Sequence, residues 1–257
     1  MSRPRHQGRL AQLVEHLVYT ERVGGSSPSP PTSLRRRGLL VALGLLIVAA
    51  CLWGPEPARA EAGAMTFHVE PLDAGRCGAR CPHVIVADGV IETSTPQAFV
   101  DFLKGAEDRD LRRIVFFNSR GGNVVASMAF GHILRALRIA GVVGRFRPDG
   151  DPGPFAGECL SACVYAMMGA VRRVAPPGSE VALHRMSIVE TEAEGWFGRR
   201  TKRSFADAPM ISVLARYASR MGVSPALVRL AESLPPDTMH VLSPAEMRRW
   251  SFAVGQF

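Results

Sequence analysis

Two spacings of apolar residues alternate between residues 83 and 183, and together they predict strands followed by helices. Short runs of consecutive apolar residues are typical of strands buried on both faces of a sheet. Because buried strands that alternate with helices need crossover connections, the pattern predicts an α/β fold. The strand-like runs occupy His83–Gly89, Arg113–Phe117, Gly141–Gly144, Val171–Val174 and Val181–Leu183.

Between these runs the apolar residues recur at helical spacing. Ser94 and Thr95 lie where an N-cap is expected, at the start of a helix that runs through Lys104. A helical apolar face spans residues 125–137. Residues 161–169 are apolar almost all round, which predicts a helix buried on every side. The tail from Pro209 onward is predicted to be mostly helical.

Residues 186–208 show no strong hydrophobic period. A stretch of this length without one is typical of a lid, a partner-binding arm or a disordered loop, and the sequence leaves these readings open. No internal sequence repeat is visible. We therefore expect one domain over residues 61–257, with 186–208 as a possible lid or flexible loop.

A targeting segment precedes this domain. Three consecutive arginines at 35–37 are followed by an apolar run over 38–52 and by Ala-Arg-Ala at 58–60. A basic start, a short apolar stretch and an A-x-A cleavage site describe a secretory signal peptide, here residues 34–60. The run is short for a transmembrane anchor, which usually needs about 20 apolar residues. Cleavage and a periplasmic location are therefore expected.

Two alternatives to cleavage stay open. A retained apolar segment would anchor the protein in the membrane, facing the periplasm, and acylation of Cys51 in a weak lipobox would make it a lipoprotein. Residues 1–33 are unusual ahead of a signal peptide, because they resemble translated transfer-RNA genes found at misassigned starts. We expect translation to begin near Leu34 and stable structure to begin near Met65.

The net charge of +8 lies mostly at the N-terminus. Residues 1–60 hold eight Arg, no Lys and three Glu, whereas the remainder holds 23 basic and 20 acidic side chains. A domain so close to balance has no strong attraction for phosphate backbones, so nucleic acid is not an expected partner. At 257 residues and 47% hydrophobic content, the chain can bury one sizeable core.

Four cysteines follow Cys51, as the two Cys-x3-Cys pairs Cys77/Cys81 and Cys159/Cys163. An even count in an exported chain favours disulfides, and of the three possible connectivities we favour the two local pairs. A zinc site is the competing reading, but it lacks a supporting histidine pattern. We therefore expect no metal.

Three short motifs contain the groups that serine-based acyl transfer requires. Residues 118–122 end a strand with two glycines, residues 157–163 place Ser161 at the start of the buried helix, and His184 follows the last strand. The glycine loop can offer backbone N–H groups, the serine a nucleophile and the histidine a base. The plain structural alternative is a helix cap, a simple turn and an ordinary strand-end histidine.

In combination these motifs resemble the proteolytic subunit of the Clp peptidase, within the Clp/crotonase superfamily. The paired cysteines around Ser161 and the earlier Cys-x3-Cys segment are most similar to a bacterial group of predicted periplasmic Clp-like proteins. The resemblance covers residues 83–183 and thins out beyond His184. It implies a repeated β-β-α superhelix.

The resemblance also implies a role for individual residues. Ser161 would be the nucleophile and His184 the general base. The N–H groups of Gly122 and Ala162 would form the oxyanion hole. Arg120 stands where the family usually has proline, which bears on the mouth of that hole.

The third member of the triad is harder to assign. In the family an aspartate precedes a Leu-Ser-x-x-Glu segment, which residues 242–246 resemble. Counting back from that segment makes Asp237 the nearest candidate and Glu232 the reserve. Related membrane-associated peptidases use a Ser-Lys dyad, so Lys202 is a further alternative, although loop lysines are usually solvated.

These inferences predict a periplasmic serine peptidase that forms an acyl-enzyme on a peptide or protein substrate and needs no cofactor. No Walker-type phosphate loop is present in the sequence. The alternative is a non-catalytic Clp-like scaffold for peptide binding or assembly. Acyl-CoA chemistry of the crotonase type is disfavoured in an exported chain. Because relatives form rings, a homo-oligomer is also expected.

Overall fold

The computed structural model describes residues 63–72, 81–106, 111–146, 153–194 and 198–253. The expectations for the N-terminal extension, the signal peptide and Cys77 concern residues outside these ranges. Within the ranges, no helix combines the length and the apolar character needed to span a bilayer.

Strands and helices alternate along the described chain, which confirms the predicted α/β class. The strands are β1 (Thr66–Pro71), β2 (His83–Asp88), β3 (Leu111–Asn118), β4 (Ala140–Val143), β5 (Glu158–Leu160), β6 (Arg173–Val174), β7 (Glu180–Leu183), β8 (Ser187–Glu194), β9 (Gly198–Phe205) and β10 (His240–Val241). The helices are α1 (Thr95–Gly105), α2 (Val124–Ala136), α3 (Ala162–Gly169), α4 (Ala208–Arg220), α5 (Pro225–Ser233) and α6 (Pro244–Arg249).

The larger sheet has five strands in the order β1-β2-β3-β4-β6. Strands β2, β3, β4 and β6 run parallel, and β1 pairs antiparallel with β2 at the edge. Consecutive residues of β3, Val115–Phe117, are all buried, because both faces of this sheet are covered. That double burial is the reason for the unbroken apolar runs in the sequence.

A second, smaller layer of strands carries the site. Its three-stranded sheet has the order β10-β7-β5, with β5 and β7 parallel. Single bridges extend the layer, pairing Ile91 with Gly122 and Ser119 with Cys159. Each of β2, β3 and β4 is therefore followed by a short extended segment of this layer and then by a helix. The order of strand, extended segment and helix occurs three times.

Helix α3 lies at the centre of the core, as its apolar sequence predicts, and all of its residues are buried. It packs against α2 so closely that a Cβ atom on Gly169 would overlap the backbone of Gly131. The hydroxyl of Tyr217, on α4, donates to the Tyr165 carbonyl on α3 at 2.8 Å. These contacts fix the helix whose N-terminus follows Ser161.

The segment without a hydrophobic period is a β-hairpin. Strands β8 and β9 pair antiparallel from Ser187–Phe205 to Glu194–Gly198. The register places Glu190 opposite Lys202 and Glu192 opposite Arg200. On β8 the acidic residues recur at every second position, whereas the apolar residues do not. A hydrophobic pattern therefore does not reveal this hairpin.

The C-terminal tail is held to the core by the side chain of Arg173, on β6. Arg173 donates to the carbonyls of Met168 and Ala170 at the end of α3, and to those of Met221, Ser251 and Phe252. Burial lowers the pKa of Arg173 to about 10, and the nearby positive charge of Arg135 adds to that effect. A cation suits this location, because the carbonyl ends of helices are electronegative.

Candidate active site

Ser161 lies in the sharp turn between β5 and α3. Its backbone angles are φ 54° and ψ −121°, a region that residues other than glycine rarely adopt. Such a conformation costs on the order of 1–3 kcal/mol and is typical of strained functional residues. The turn presents the side chain of Ser161 at the N-terminus of a buried helix, where unpaired N–H groups favour negative charge.

A disulfide spans this turn, as the Cys-x3-Cys spacing predicts. Cys159 on β5 and Cys163 on α3 are covalently bonded, with their Cα atoms 5.2 Å apart. The N–H of Ser161 donates to the Ala182 carbonyl on β7 at 2.8 Å. Cys81 is also disulfide-bonded, and its predicted partner, Cys77, lies outside the described residues. The strained turn is therefore held by a covalent link and by the neighbouring strand.

His184 follows β7 and reaches Ser161. Its Nε2 atom lies 2.6 Å from the serine Oγ, and its Nδ1 atom lies 2.7 Å from the carbonyl oxygen of Arg185. A carbonyl oxygen can only accept, so Nδ1 carries a proton. In the neutral ring Nε2 is then the unprotonated nitrogen and accepts from the serine hydroxyl. The tautomer is the one that a general base requires.

Gly121 and Gly122 bring the backbone up against the serine turn. Both have positive φ, 104° and 135°. A Cβ atom on Gly121 would lie 2.9 Å from the Ser161 Cβ and 3.0 Å from the Ala162 nitrogen, and one on Gly122 would overlap the Ile91 carbonyl. Only glycine fits both the conformation and the space.

Two main-chain N–H groups at this junction are available to a ligand. Gly122 and Ala162 both line the cavity that contains Ser161 and His184. Within the described part of the chain, neither N–H donates to a protein acceptor. Two such donors beside a nucleophile are the elements of an oxyanion hole.

The cavity has a volume of about 400 Å³ and a largely apolar wall. Side chains from α2, α3, β7, the β8 strand and α4 surround the serine and the histidine. The apolar lining consists of Val124, Val125, Tyr165, Leu183, Met186, Ile188 and Met210. Burial raises the pKa of the Tyr165 hydroxyl, and the Glu232 carboxylate adds to the increase. Tyr165 therefore stays protonated beside the cavity.

The structure does not bring the predicted third triad residue to the histidine. Asp237 is 70% exposed and pairs with Arg203 on β9. It lies in the left-handed region, with φ 64°, in the turn before β10. The position next to Nδ1 is instead occupied by the Arg185 carbonyl. A main-chain acceptor leaves no trace in the sequence, so no motif could have identified it.

The reserve candidate, Glu232, is buried near the histidine. Its residue is 8% exposed, and its Oε1 accepts from the Met186 N–H at 3.3 Å. Burial raises the pKa of Glu232, while the Met186 hydrogen bond, Arg185 and His184 act in the opposite direction. Its other oxygen, Oε2, is buried without a hydrogen-bond donor among the described residues.

The structure also places Lys202 and Arg120, two further residues named from the sequence. Lys202 lies on β9 with an exposed side chain, and the base hydrogen-bonded to Ser161 is His184. Arg120 forms an ion pair with Glu158 at 3.4 Å. That pair links the glycine loop to β5, the strand that leads into Ser161. Within the described ranges, no group of three or more His, Cys, Asp or Glu residues forms a metal site.

Comparisons with known proteins return structures but no sequence family. No family model and no curated protein matches the chain. Among solved structures, it is similar to a mutant of the 1510-N membrane-bound stomatin-specific protease, with 15% identity, a TM-score of 0.44, and coverage of 66% of this chain and 75% of that one. A second mutant of that protease, in complex with a substrate peptide, gives 15% identity, a TM-score of 0.43, and coverage of 66% and 71%.

Proposed function

We propose that this protein is an exported serine peptidase that acts through an acyl-enzyme on Ser161. The observation that carries the proposal is the 2.6 Å contact between the serine Oγ and His184 Nε2, with the tautomer fixed by the Arg185 carbonyl. A hydroxyl in contact with an unprotonated imidazole nitrogen is an activated nucleophile. Its strained turn and its place in a cavity support the same reading.

The chemistry follows from the positions of these groups. As Ser161 Oγ bonds to a substrate carbonyl carbon, its proton moves to His184 Nε2, and the carbonyl oxygen becomes negative. The N–H groups of Gly122 and Ala162 stabilise that oxyanion. The tetrahedral intermediate then expels the amine, which takes the proton from Nε2. A water molecule hydrolyses the ester by the same route in reverse, with His184 again as base.

An extended peptide is the proposed substrate. Ser187 and Ile188, at the start of β8, line the cavity beside His184. Among the described strands, β8 pairs with β9 alone, so its other edge is available for main-chain pairing. Extended peptides bind in this way at exposed strand edges. The reaction as written needs no metal and no nucleotide.

We also propose a Clp/crotonase-like superhelix for residues 61–257, exported behind the signal peptide 34–60. The threefold order of strand, extended segment and helix supports the superhelix. The Cys159–Cys163 disulfide supports a periplasmic location, because disulfides persist in oxidising compartments. Association into a ring remains part of the proposal, as the family resemblance suggests.

A fluorophosphonate probe tests the peptidase proposal. The wild-type protein is expected to become covalently labelled, and Ser161→Ala to lose the label. Ser187→Ala is the matched control, because Ser187 is a second hydroxyl on the wall of the same cavity. Its label is expected to remain. Wild-type protein that resists the probe across pH 5–9 (about the range in which imidazole acts as a base) would count against the proposal.

A non-catalytic peptide-binding scaffold is the second candidate. One observation favours it: among the described residues, no carboxylate is hydrogen-bonded to Nδ1 of His184, where a full triad has one. For a scaffold, Ser161→Ala would leave the protein's function in the cell unchanged, and wild type and variant would bind extended peptides alike. A peptidase requires the opposite result in the cell.

A further inference from the structure

One buried carboxyl group lies next to the site without a role in the chemistry described so far. Glu232, on α5, is 8% exposed, and its Oε2 has no hydrogen-bond donor among the described residues. Its Oε1 accepts from the Met186 N–H at 3.3 Å. A buried carboxylate with half of its hydrogen-bonding capacity unused is costly, so its position calls for a physical reason.

The contacts of Glu232 and His184 meet on a single peptide group. The N–H of Met186 and the carbonyl of Arg185 belong to the same peptide bond. Glu232 accepts from its N–H side at 3.3 Å, and His184 Nδ1 donates to its carbonyl side at 2.7 Å. His184 Nε2 in turn accepts from Ser161 at 2.6 Å. Serine, imidazole, peptide group and carboxylate therefore form one continuous chain of hydrogen bonds.

We propose that the Arg185–Met186 peptide group takes the place of the triad carboxylate, and that Glu232 is the positioning residue that polarises it. A negative charge at the N–H end of a peptide draws its proton and increases the partial charge on the carbonyl oxygen. Hydrogen bonds in a chain strengthen one another in this way. The Arg185 oxygen then holds the Nδ1 proton more firmly and stabilises the imidazolium that forms during acyl transfer.

The surroundings of Glu232 agree with a charged role in the reaction. Glu232 accepts a hydrogen bond from the Met186 N–H and interacts electrostatically with the side chains of Arg185 and His184. It also interacts electrostatically with the buried hydroxyl of Tyr165. Arg185 also lies over the Phe205 ring, 4.4 Å from its centre. When His184 takes up a proton, the ionised carboxylate of Glu232 stabilises its positive charge. In a low-dielectric interior such an interaction is stronger than the same pair in water.

This inference rests on the proposed acyl transfer, and a matched pair of variants tests it. Glu232→Gln keeps the shape and the Oε1 acceptor but removes the charge. Asp237→Asn is the control, because Asp237 is the triad residue that the sequence predicts, yet its side chain is exposed and pairs with Arg203. Asn also tolerates the positive φ of this position. With an activated p-nitrophenyl ester, we expect Glu232→Gln to lower kcat about tenfold with little change in KM. Asp237→Asn should leave both within about twofold.

A second readout does not depend on activity. The His184 Nδ1 proton, followed by proton NMR, is expected to move upfield in Glu232→Gln and to stay in place in Asp237→Asn. Glu232→Asp, which keeps the charge, should hold the signal nearer its wild-type position, and Glu232→Met, which also removes the charge, carries the comparison if the Gln variant does not fold. A proton signal that is unmoved in the variant without the charge, or an equal loss of kcat in Asp237→Asn, would overturn the inference. If the signal moves but neither the wild type nor any variant hydrolyses esters, the hydrogen-bonded chain from Glu232 to His184 is supported and the peptidase proposal fails.

Discussion

Ser161 and His184 are 23 residues apart in sequence, yet their side chains meet at 2.6 Å. The reason is a single pair of parallel strands. Leu160, the last residue of β5, pairs with Ala182 on β7, so the residues that follow both strands emerge at the same edge. Neighbouring parallel strands bring their carboxyl ends together, which is where such folds commonly place a site. The register between β5 and β7 therefore sets the distance between nucleophile and base.

The strain at Ser161 predicts a conflict between stability and activity. Its φ of 54° and ψ of −121° suit glycine far better than any residue with a Cβ atom. We expect Ser161→Gly to have a free energy of unfolding about 1 kcal/mol higher than Ser161→Ala. Both variants lack the nucleophile, so the comparison isolates the backbone term. Urea denaturation monitored by circular dichroism measures it, and equal midpoints would show that the turn is relaxed.

The position of Gly121 beside the nucleophile leads us to expect that Gly121→Ala lowers kcat by more than its destabilisation of the fold explains. In Gly121→Ala the new methyl group would lie 3.0 Å from the Ala162 nitrogen, one of the proposed oxyanion donors. Removing such a donor typically lowers kcat by about 10²–10³-fold. Gly222→Ala is a close control, because Gly222 has φ 71° with no atom within 4 Å of an added Cβ. It should lose about 1 kcal/mol of stability and keep its activity.

Equal losses of activity in Gly121→Ala and Gly222→Ala would contradict this expectation, because the loss would then come from general destabilisation. The comparison is made with ester hydrolysis below the unfolding temperature of both variants, so that the folded fractions are alike.

The elements that the sequence predicts well are those whose periodicity reflects burial. The runs that became β2, β3, β4 and β7 are apolar because most of their residues are buried. The sequence predicts the buried helix α3 for the same reason. Burial acts on every residue of such an element, so its signal is local and repeated.

Other features depend on relations that a local pattern does not contain. In the β8–β9 hairpin the register places acidic residues opposite basic ones with a period of two, and a hydrophobic pattern does not show that period. The partner of His184 Nδ1 is the Arg185 carbonyl, a group that every residue possesses. Asp237 fits the spacing from a family motif, yet the turn before β10 directs it to Arg203. Tertiary packing, rather than spacing, decided each of these positions.

The Cys159–Cys163 disulfide is predicted to hold the nucleophile in place. It closes a short loop around Ser161, and the chain-entropy relation gives about 2 kcal/mol for a loop of this size. The Cys159→Ala/Cys163→Ala double variant should lose about that much stability and also label more slowly with the fluorophosphonate. The Cys77→Ala/Cys81→Ala variant is the control: it should lose stability without a matching loss of labelling rate. A double variant at 159 and 163 that labels at the wild-type rate would show that the turn does not need its covalent link.

Arg173 is predicted to be the main attachment of the C-terminal tail. Its guanidinium donates to five carbonyls, including Ser251 and Phe252, which follow α6. Arg173→Met keeps most of the side chain's length but removes the donor to all five carbonyls, of which those of Met168 and Met221 also accept from Arg135, and we expect it to cost about 2–4 kcal/mol. Arg229→Met, at an exposed position on α5, should change stability by less than about 0.5 kcal/mol. Thermal or urea unfolding of the two variants makes the comparison, and equal effects would contradict it.

Glu232 predicts a pH dependence of stability with a definite sign. Burial raises its pKa in the folded protein, so the folded state holds this proton to a higher pH than the unfolded state does. Between the ordinary pKa of a glutamate and the raised one, folding takes up a proton, and the contribution of Glu232 to stability falls as the pH rises. Glu232→Gln removes this dependence. It should match the wild type below that interval and be more stable than the wild type above it.

Glu246 supplies a control of opposite sign. The N–H of Ser243, and then its hydroxyl, lower the pKa of Glu246 in the capping box of α6. Its contribution is present at neutral pH and is lost as the pH falls through the lowered pKa. Glu246→Gln should therefore be less stable than the wild type at neutral pH and equal to it in acid. Urea denaturation of both variants at about pH 3 and about pH 8, on either side of the carboxylate range, gives the two signs. If Glu232→Gln is less stable than the wild type at the higher pH, the buried carboxylate stabilises the fold. The expectation that its ionised form lowers the free energy of unfolding would then be wrong.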